Sequence, residues 1–263
     1  MSLTVMSSVV WPKETALIPM SAKGVTHMAL YCLADSHLSE SVPKPMDVFG
    51  KRWTDYTAKL IRNWNAVVSE TDTVILPGDI SWGLTMKEAA ADLKLLHSLN
   101  GRKIIGKGNH DLWWQSEKKL KDFFAENGID SISLLHNNAY YVEGKRICGS
   151  RGWYYDPKQS PVGADPEKIA AREVIRTELS IKAALALPEG QEDELIAFFH
   201  FPPVYRDFVC RGIVDLMKRY GITRCYYGHI HGIYDLPRSM EFEGITMTIS
   251  SADYLNFVPI LVS

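Results

Sequence analysis

The chain has 263 residues, 46% of them apolar and 23% charged, which is globular composition and excludes a disordered, collagenous or coiled-coil chain. Its 29 Lys and Arg against 31 Asp and Glu leave a formal charge of −2, so no overall field draws nucleic acid or anionic lipid. No apolar run reaches the roughly 18 residues of a membrane span, and the N-terminus lacks a basic segment followed by a clean apolar one, so a cytoplasmic protein is expected.

Residues 1–27 carry two prolines and no sustained periodicity, and read as an N-terminal extension ahead of a single domain over 28–263. From Met28, short β-rich runs alternate with helical patterns: MALYCLAD, a helix near 54–69, TVILPGD, a helix near 85–99, RKIIGKGN and a helix near 112–127. That order predicts a layered α/β fold. Short strands are expected near 131–134, 139–142 and 145–149, with a hairpin turn at Gly144-Lys145, so the sheet becomes antiparallel or mixed. Asp165 as N-cap and Pro166 at the first helical position then predict a long amphipathic helix over 164–187, part of a helical cap over 153–190 that would select small substrates. DELIAFFH and ITRCYYGH are two more strands separated by a helix near 208–219, and 242–262 reads as closing strands. Cys32, Cys148, Cys210 and Cys225 form no C-x-x-C pair, and three stand in strand-like runs, so buried free thiols are expected.

The strands end on a recurring set of ligand-type residues: LADSHLS, LPGDISW, GKGNHDL, FFHFPP and YYGHIHG. Five of the eight histidines sit there, His37, His110, His200, His229 and His231. In open α/β sheets the crevice beyond the carboxyl ends of the strands binds ligands, so residues distant in sequence can converge at it. Asp35-x-His37 and His229-x-His231 each place two side chains on one face of an extended backbone, where a pair can hold one cation or flank two. Asp79 follows Pro77-Gly78, and a glycine there allows close backbone approach, so its carboxylate can bridge two metals. With the amide oxygen of Asn109 and the imidazole of His200, the set is mixed N/O without thiolate, which suits Mn, Fe, Zn or Co. Seven ligands are too many for one zinc. Taken singly, each fragment reads more simply as a solvated loop, a turn or a satisfied core histidine; their ordered conjunction carries the signal.

That conjunction, D-x-H, G-D, G-N-H-D, a lone His after an apolar strand, then G-H-x-H, resembles the calcineurin-like metallophosphoesterases over roughly residues 28–235. The resemblance implies two mixed β-sheets packed as a sandwich and flanked by helices. It also implies that Asp35, His37 and His231 hold one metal ion, that Asn109, His200 and His229 hold a second, and that Asp79 bridges them. His110 would lie beside the metals as proton donor to the leaving oxygen or as a stabiliser of phosphoryl charge. Two divalent or mixed-valence ions, most simply Mn, Fe or Zn, would then generate a hydroxide for in-line attack on a phosphate ester. The string Gly78-Asp79-Ile80-Ser81-Trp82-Gly83 departs from the family's G-D-x-x-D. Trp82 stands for the second Asp, and Gly83 for the Arg of phosphoprotein phosphatases, which favours a small phosphodiester over a phosphomonoester or a phosphoprotein.

Gly101 to Lys107 matches G-x-x-x-x-G-K, but Gly108 follows where a P-loop needs Ser or Thr, and the intervening residues look like a strand. A different H-x-H zinc hydrolase and a non-catalytic metal-binding module are the alternative readings. Arg151, Trp82 and Trp153 are candidate substrate contacts, with Trp113, Trp114, Tyr154 and Tyr155 as further aromatic neighbours that could equally pack the core. The expected partner is a small phosphorylated substrate, with nucleic acid only in the role of substrate. Oligomeric state is not legible.

Overall fold

The computed structural model describes residues 28–155 and 165–262, so the extension expected over 1–27 lies outside the described residues. In chain order the elements are β1 (Leu30–Cys32), α1 (Tyr56–Val67), β2 (Thr73–Leu76), α2 (Met86–Ser98), β3 (Arg102–Ile105), α3 (Glu117–Glu126), β4 (Ile132–Leu134), β5 (Tyr140–Val142) and β6 (Lys145–Ser150). There follow α4 (Pro166–Leu185), β7 (Glu194–Phe199), β8 (Val204–Tyr205), β9 (Phe208–Val209), α5 (Arg211–Arg219), β10 (Arg224–Tyr227), β11 (Ser239–Phe242), β12 (Ile245–Ile249) and β13 (Ile260–Leu261).

All four residues of β2 are buried, as a strand covered on both faces requires. β1 to β4 run parallel in sequence order, with β13 antiparallel at the free edge of β1. The second sheet has the order β11-β12-β10-β7-β6-β5, its four inner strands parallel and both edge strands antiparallel. Alternation along each strand then builds three apolar layers. Cys32, Ile75 and Ile104 of the first sheet meet Ile147, Ile196, Phe198 and Tyr226 of the second, with the Phe198 and Tyr226 rings stacked at 5.2 Å. The opposite faces take helices: Leu60 and Trp64 of α1, Leu93 and Leu96 of α2 and Leu120 of α3 cover the first sheet. Ile181 and Ala184 of α4 with Ile213, Val214 and Met217 of α5 cover the second. This is the helix-flanked sandwich of mixed sheets expected from the sequence.

Local chemistry sets the element ends. Asp165 caps α4 by accepting the Lys168 N–H, with Pro166 behind it, as its sequence predicts. α3 begins at Glu117, behind the capping hydroxyl of Ser116, and not near 112, because Trp113 and Trp114 fold into the core ahead of it. α5 likewise starts later than expected, since Arg206 adopts a positive φ and turns 204–209 into the β8–β9 hairpin. The region 242–262 holds β12 and β13 with turns between them, and β11 precedes it. α4 lies along β6 and α5, so the cap expected over 153–190 is, over its described residues, a flanking layer of the second sheet.

The P-loop look-alike is β3 itself, with Lys103 buried and its ammonium donating to the carbonyls of His97 and Leu99. All four cysteines are buried and unpaired, and burial pushes the Cys32 and Cys148 thiols up to about 12. Among the described residues no helix is long and apolar enough to cross a membrane.

Candidate metal centre

The loops after β1, β2, β3, β7 and β10 all leave the carboxyl ends of parallel strands, and the two sheets bring those ends together. Beyond β1 and β2 the chains continue to pair: Asp35 N–H donates to Gly78 O at 3.0 Å, His37 N–H to Asp79 O at 3.0 Å and Leu38 N–H to Ile80 O at 2.9 Å. Asp35, His37, Asp79 and His229 all adopt positive φ, between 45° and 70°. For residues with a Cβ this costs on the order of 1 kcal/mol each, and the inter-loop ladder holds them there. Position 108 must be glycine, since a Cβ would sit 2.0 Å from Asp79 Oδ1.

The side chains converge as two groups, Asp35 with His37 and His231, and Asp79 with His200 and His229, each within 4.8 Å of ligand atom to ligand atom. Asp79 Oδ2 stands 3.6 Å from both His37 Nε2 and His200 Nε2, so it faces both groups at once. Asn109 Oδ1 lies 2.6 Å from His200 Nε2 and completes the second group. Each aspartate uses one oxygen locally: Asp35 Oδ2 accepts the His229 N–H at 2.8 Å, and Asp79 Oδ1 the His110 N–H at 2.8 Å. The other oxygens, Asp35 Oδ1 and Asp79 Oδ2, are buried without a hydrogen-bond partner. Buried acceptors of this kind are costly unless paired, and two converging groups of carboxylates and imidazoles are the donor set that divalent transition metals take.

The electrostatics agree. Burial, reinforced for Asp79 by Asp111 and Asp35, raises the carboxyls of Asp35 and Asp79, while burial and the neighbouring histidines pull His37 and His200 well down. The imidazoles of His37 and His200 are therefore neutral, with lone pairs available. Burial lowers His231 too, but Asp35 and Asp253 outweigh it and raise it. Burial, then His231 and Lys44, brings His110 down to about 4, so its imidazole is neutral at pH 7.

Two residues passed over in the sequence organise the cluster. Asp111 accepts backbone N–H groups from Asp79, Ile80, Ser81 and Gly108 and the Trp113 indole N–H, at 2.8–3.3 Å. Asp253, in the turns that follow β12, bonds His231 Nδ1 at 2.8 Å and leaves Nε2 facing inward, while also accepting from Gly232 N–H and Tyr234 O–H. The Trp82 ring is stacked on that of His37 at 4.8 Å and packs, tilted by 52°, against that of His110 at 4.4 Å. Its indole N–H points to Met46 Sδ at 3.1 Å.

Around the cluster, Met46, Phe49, Trp53 and Trp82 with His37, His110 and His231 line a pocket of about 240 Å³. Arg151 borders a different pocket, with Lys107, Glu173 and Arg176. Trp153 reaches neither; it is buried beside the Phe201 ring at 5.9 Å in the core of the second sheet, because Gly152 turns the chain under β7. Trp113 and Trp114 are core residues, and the Tyr154 ring lies 6.0 Å from that of His229.

Residues 28–232 match the family model described as "Calcineurin-like phosphoesterase". An uncharacterised protein of Methanocaldococcus jannaschii is 24% identical over 147 residues, 53% of this chain and 82% of that one. Among solved structures, TT1561 of Thermus thermophilus superposes with a TM-score of 0.54 at 12% identity, covering 87% of this chain and 91% of its own, a likeness of fold. The protein of unknown function AQ665 from Aquifex aeolicus gives a TM-score of 0.46 at 17% identity, with 89% and 95% covered.

Proposed function

Because the chain belongs to the calcineurin-like phosphoesterase family, we propose that it is a two-cation phosphohydrolase acting on a small phosphate ester, with a phosphodiester preferred over a phosphomonoester or a phosphoprotein. The observation that carries this reading is the bare Asp79 Oδ2, equidistant at 3.6 Å from a histidine of each ligand group. Asp35, His37 and His231 would hold one cation, Asn109, His200 and His229 the other, and Asp79 both. When bound, such a pair polarises a phosphoryl oxygen and makes a nucleophile available from water at neutral pH.

The chain's own residues supply the rest. Asp253 keeps the His231 ring in the orientation that presents Nε2. His110 lines the aromatic pocket and is placed to donate a hydrogen bond to a leaving oxygen there. Packed on Trp82 and held low by burial, it enters that role neutral unless the phosphate's charge raises it. Met46, Phe49, Trp53 and Trp82 offer a flat apolar wall to the leaving group and shed water from it. A small ester over a phosphoprotein is supported at position 83: a Cβ on Gly83 would sit 2.6 Å from Ala89 N, so no clamping arginine can stand there.

The test is the ratio of kcat/KM for a bis-aryl phosphodiester to that for an aryl phosphomonoester, with manganese supplied and Asp79→Asn as control. A ratio above one, lost in the control, is expected. A ratio below one assigns a phosphomonoesterase instead, and bound cations without hydrolysis of any ester would mean a non-catalytic metal-binding module.

A further inference from the structure

Apart from Ser251 Oγ, the buried side-chain polar atoms that lack a partner among the described residues fall in two places. Four belong to the ligand cluster, on Asp35, His37, Asp79 and His200. The other three, Asn137 Oδ1, Arg151 Nε and Glu173 Oε2, line one second pocket, together with Lys107, His136 and Arg176. Native structures leave few such atoms unpaired, and a concentration of them marks a place where something binds.

The charge of this pocket is unbalanced. Glu173, 1% exposed on α4, accepts from Arg176 at 2.7 Å and from Arg151 at 3.4 Å. One carboxylate thus faces two guanidinium groups. Lys107 adds a third cation, and it makes no ion pair among the described residues. Among the residues that line the pocket, three cations thus face one carboxylate, a surplus that matches a phosphate dianion better than a single carboxylate. Arg151 has its Nε–H unspent, and a phosphate oxygen is the acceptor a guanidinium takes most readily. The bare Glu173 Oε2 then takes a hydroxyl or a water beside that phosphate.

The pocket adjoins the ligand cluster. Lys107 is separated from Asn109 by Gly108 alone. The Arg151 carbonyl accepts the N–H of Phe201, the residue after His200, at 2.8 Å, and its guanidinium is near enough to Asp79 for their charges to interact. The aromatic pocket is lined by His37 and His231 of the first ligand group, whereas this one is lined by Lys107, two residues before Asn109, and by Arg151, whose carbonyl holds the residue after His200.

We propose that the pocket formed by Lys107, Arg151 and Arg176 around Glu173 binds a second phosphate group of the substrate, so that the preferred ester carries two phosphates, one hydrolysed and one held as a dianion. The identity of the ester as substrate rests on the hydrolase reading above; the anion site itself does not.

The experiment has two arms. In the first, inorganic phosphate is titrated calorimetrically into the metal-free full chain, its Lys107→Met and Arg176→Gln variants, and Lys87→Met as a control for loss of an exposed charge. Binding is expected in the parent and in the control, and weaker by about tenfold in each pocket variant, the loss of one charge-assisted hydrogen bond. No binding to the parent, or equal binding to all four proteins, overturns the proposal. In the second arm, with manganese, kcat/KM is compared for an aryl phosphodiester bearing a second phosphate on its leaving group and the same diester without it. The parent is expected to prefer the bisphosphorylated ester, and Lys107→Met to lose about tenfold of that preference. An unchanged preference overturns the proposal while the hydrolase reading stands. If neither ester is cleaved but phosphate binding still depends on Lys107, the hydrolase reading falls and the anion site stands.

Discussion

The carboxylate of Asp111 accepts the backbone N–H of Asp79 at 2.9 Å, so the residue two places after Asn109 fixes the aspartate that faces both ligand groups. The same carboxylate takes the N–H groups of Ile80, Ser81 and Gly108 and the Trp113 indole, and thereby clamps the loops after β2 and β3 to each other. Asp111→Ala would leave four backbone donors buried without an acceptor. A loss of about 3–5 kcal/mol in stability is expected, readable by urea titration, with Asp111→Asn intermediate because it keeps one oxygen. Asp111→Ala with parental stability would mean that the two loops hold their shape without the clamp.

Asp253 tests whether the ligand groups act as a cation centre at all. Its contact with His231 Nδ1 fixes the tautomer and the direction of Nε2, and removing such a partner ordinarily costs about 10–100-fold in metal affinity. Asp253→Asn is therefore expected to weaken one of two manganese sites and leave the other, measured by equilibrium dialysis and elemental analysis. In the parent, manganese at about 100 times its dissociation constant should raise stability by about 2.7 kcal/mol per site over a chelator-treated sample. A melting temperature indifferent to manganese and chelator would remove the cations from the site.

How much of this was legible in the sequence follows from how each residue signals. Asp35, His37, Asp79, Asn109, His200, His229 and His231 sit at the ends of recognisable strands, and the carboxyl ends of parallel strands converge by topology, so their proximity could be foreseen. Asp111 was visible in G-N-H-D, but its role depends on backbone N–H groups, which no side-chain pattern advertises. Asp253 follows β12 in the unremarkable string Ser250-Ser251-Ala252-Asp253, and only the folded sheet sets it beside His231. Lys107 and Arg151 come from the ends of two strands in different sheets, and Glu173 and Arg176 from a helix, so no spacing in the chain announced their shared pocket. The late starts of α3 and α5 have a tertiary cause, since Trp113 and Trp114 are drawn into the core and 204–209 closes as a hairpin.

His110 carries a kinetic prediction. Neutral at pH 7 in the cation-free site and wedged against Trp82, it can still donate its ring N–H, and donation matters more as the leaving oxygen becomes more basic. His110→Ala is expected to slow alkyl esters by about a hundredfold and nitrophenyl esters by much less, read from kcat/KM across leaving groups of rising pKa. Equal loss across the series would assign His110 to phosphoryl charge instead of the leaving oxygen.

Lys103 gives a prediction independent of the cluster. Its side chain is fully buried in β3, and burial pulls the ammonium down to about 8. In the unfolded chain the same group titrates at about 10.4. Between those values the unfolded state binds more protons than the native one, so the stability of the parent rises with pH through that window instead of falling. Lys103→Met removes the titration and also strips the carbonyls of His97 and Leu99 of their shared donor. The variant is thus expected to be less stable than the parent throughout, and the gap should widen by about 2–3 kcal/mol between about pH 7.5 and 10. Urea titrations of both proteins at intervals across that range check this. A gap that stays constant with pH would mean that Lys103 keeps its proton in the folded protein, held by the carbonyls that surround it.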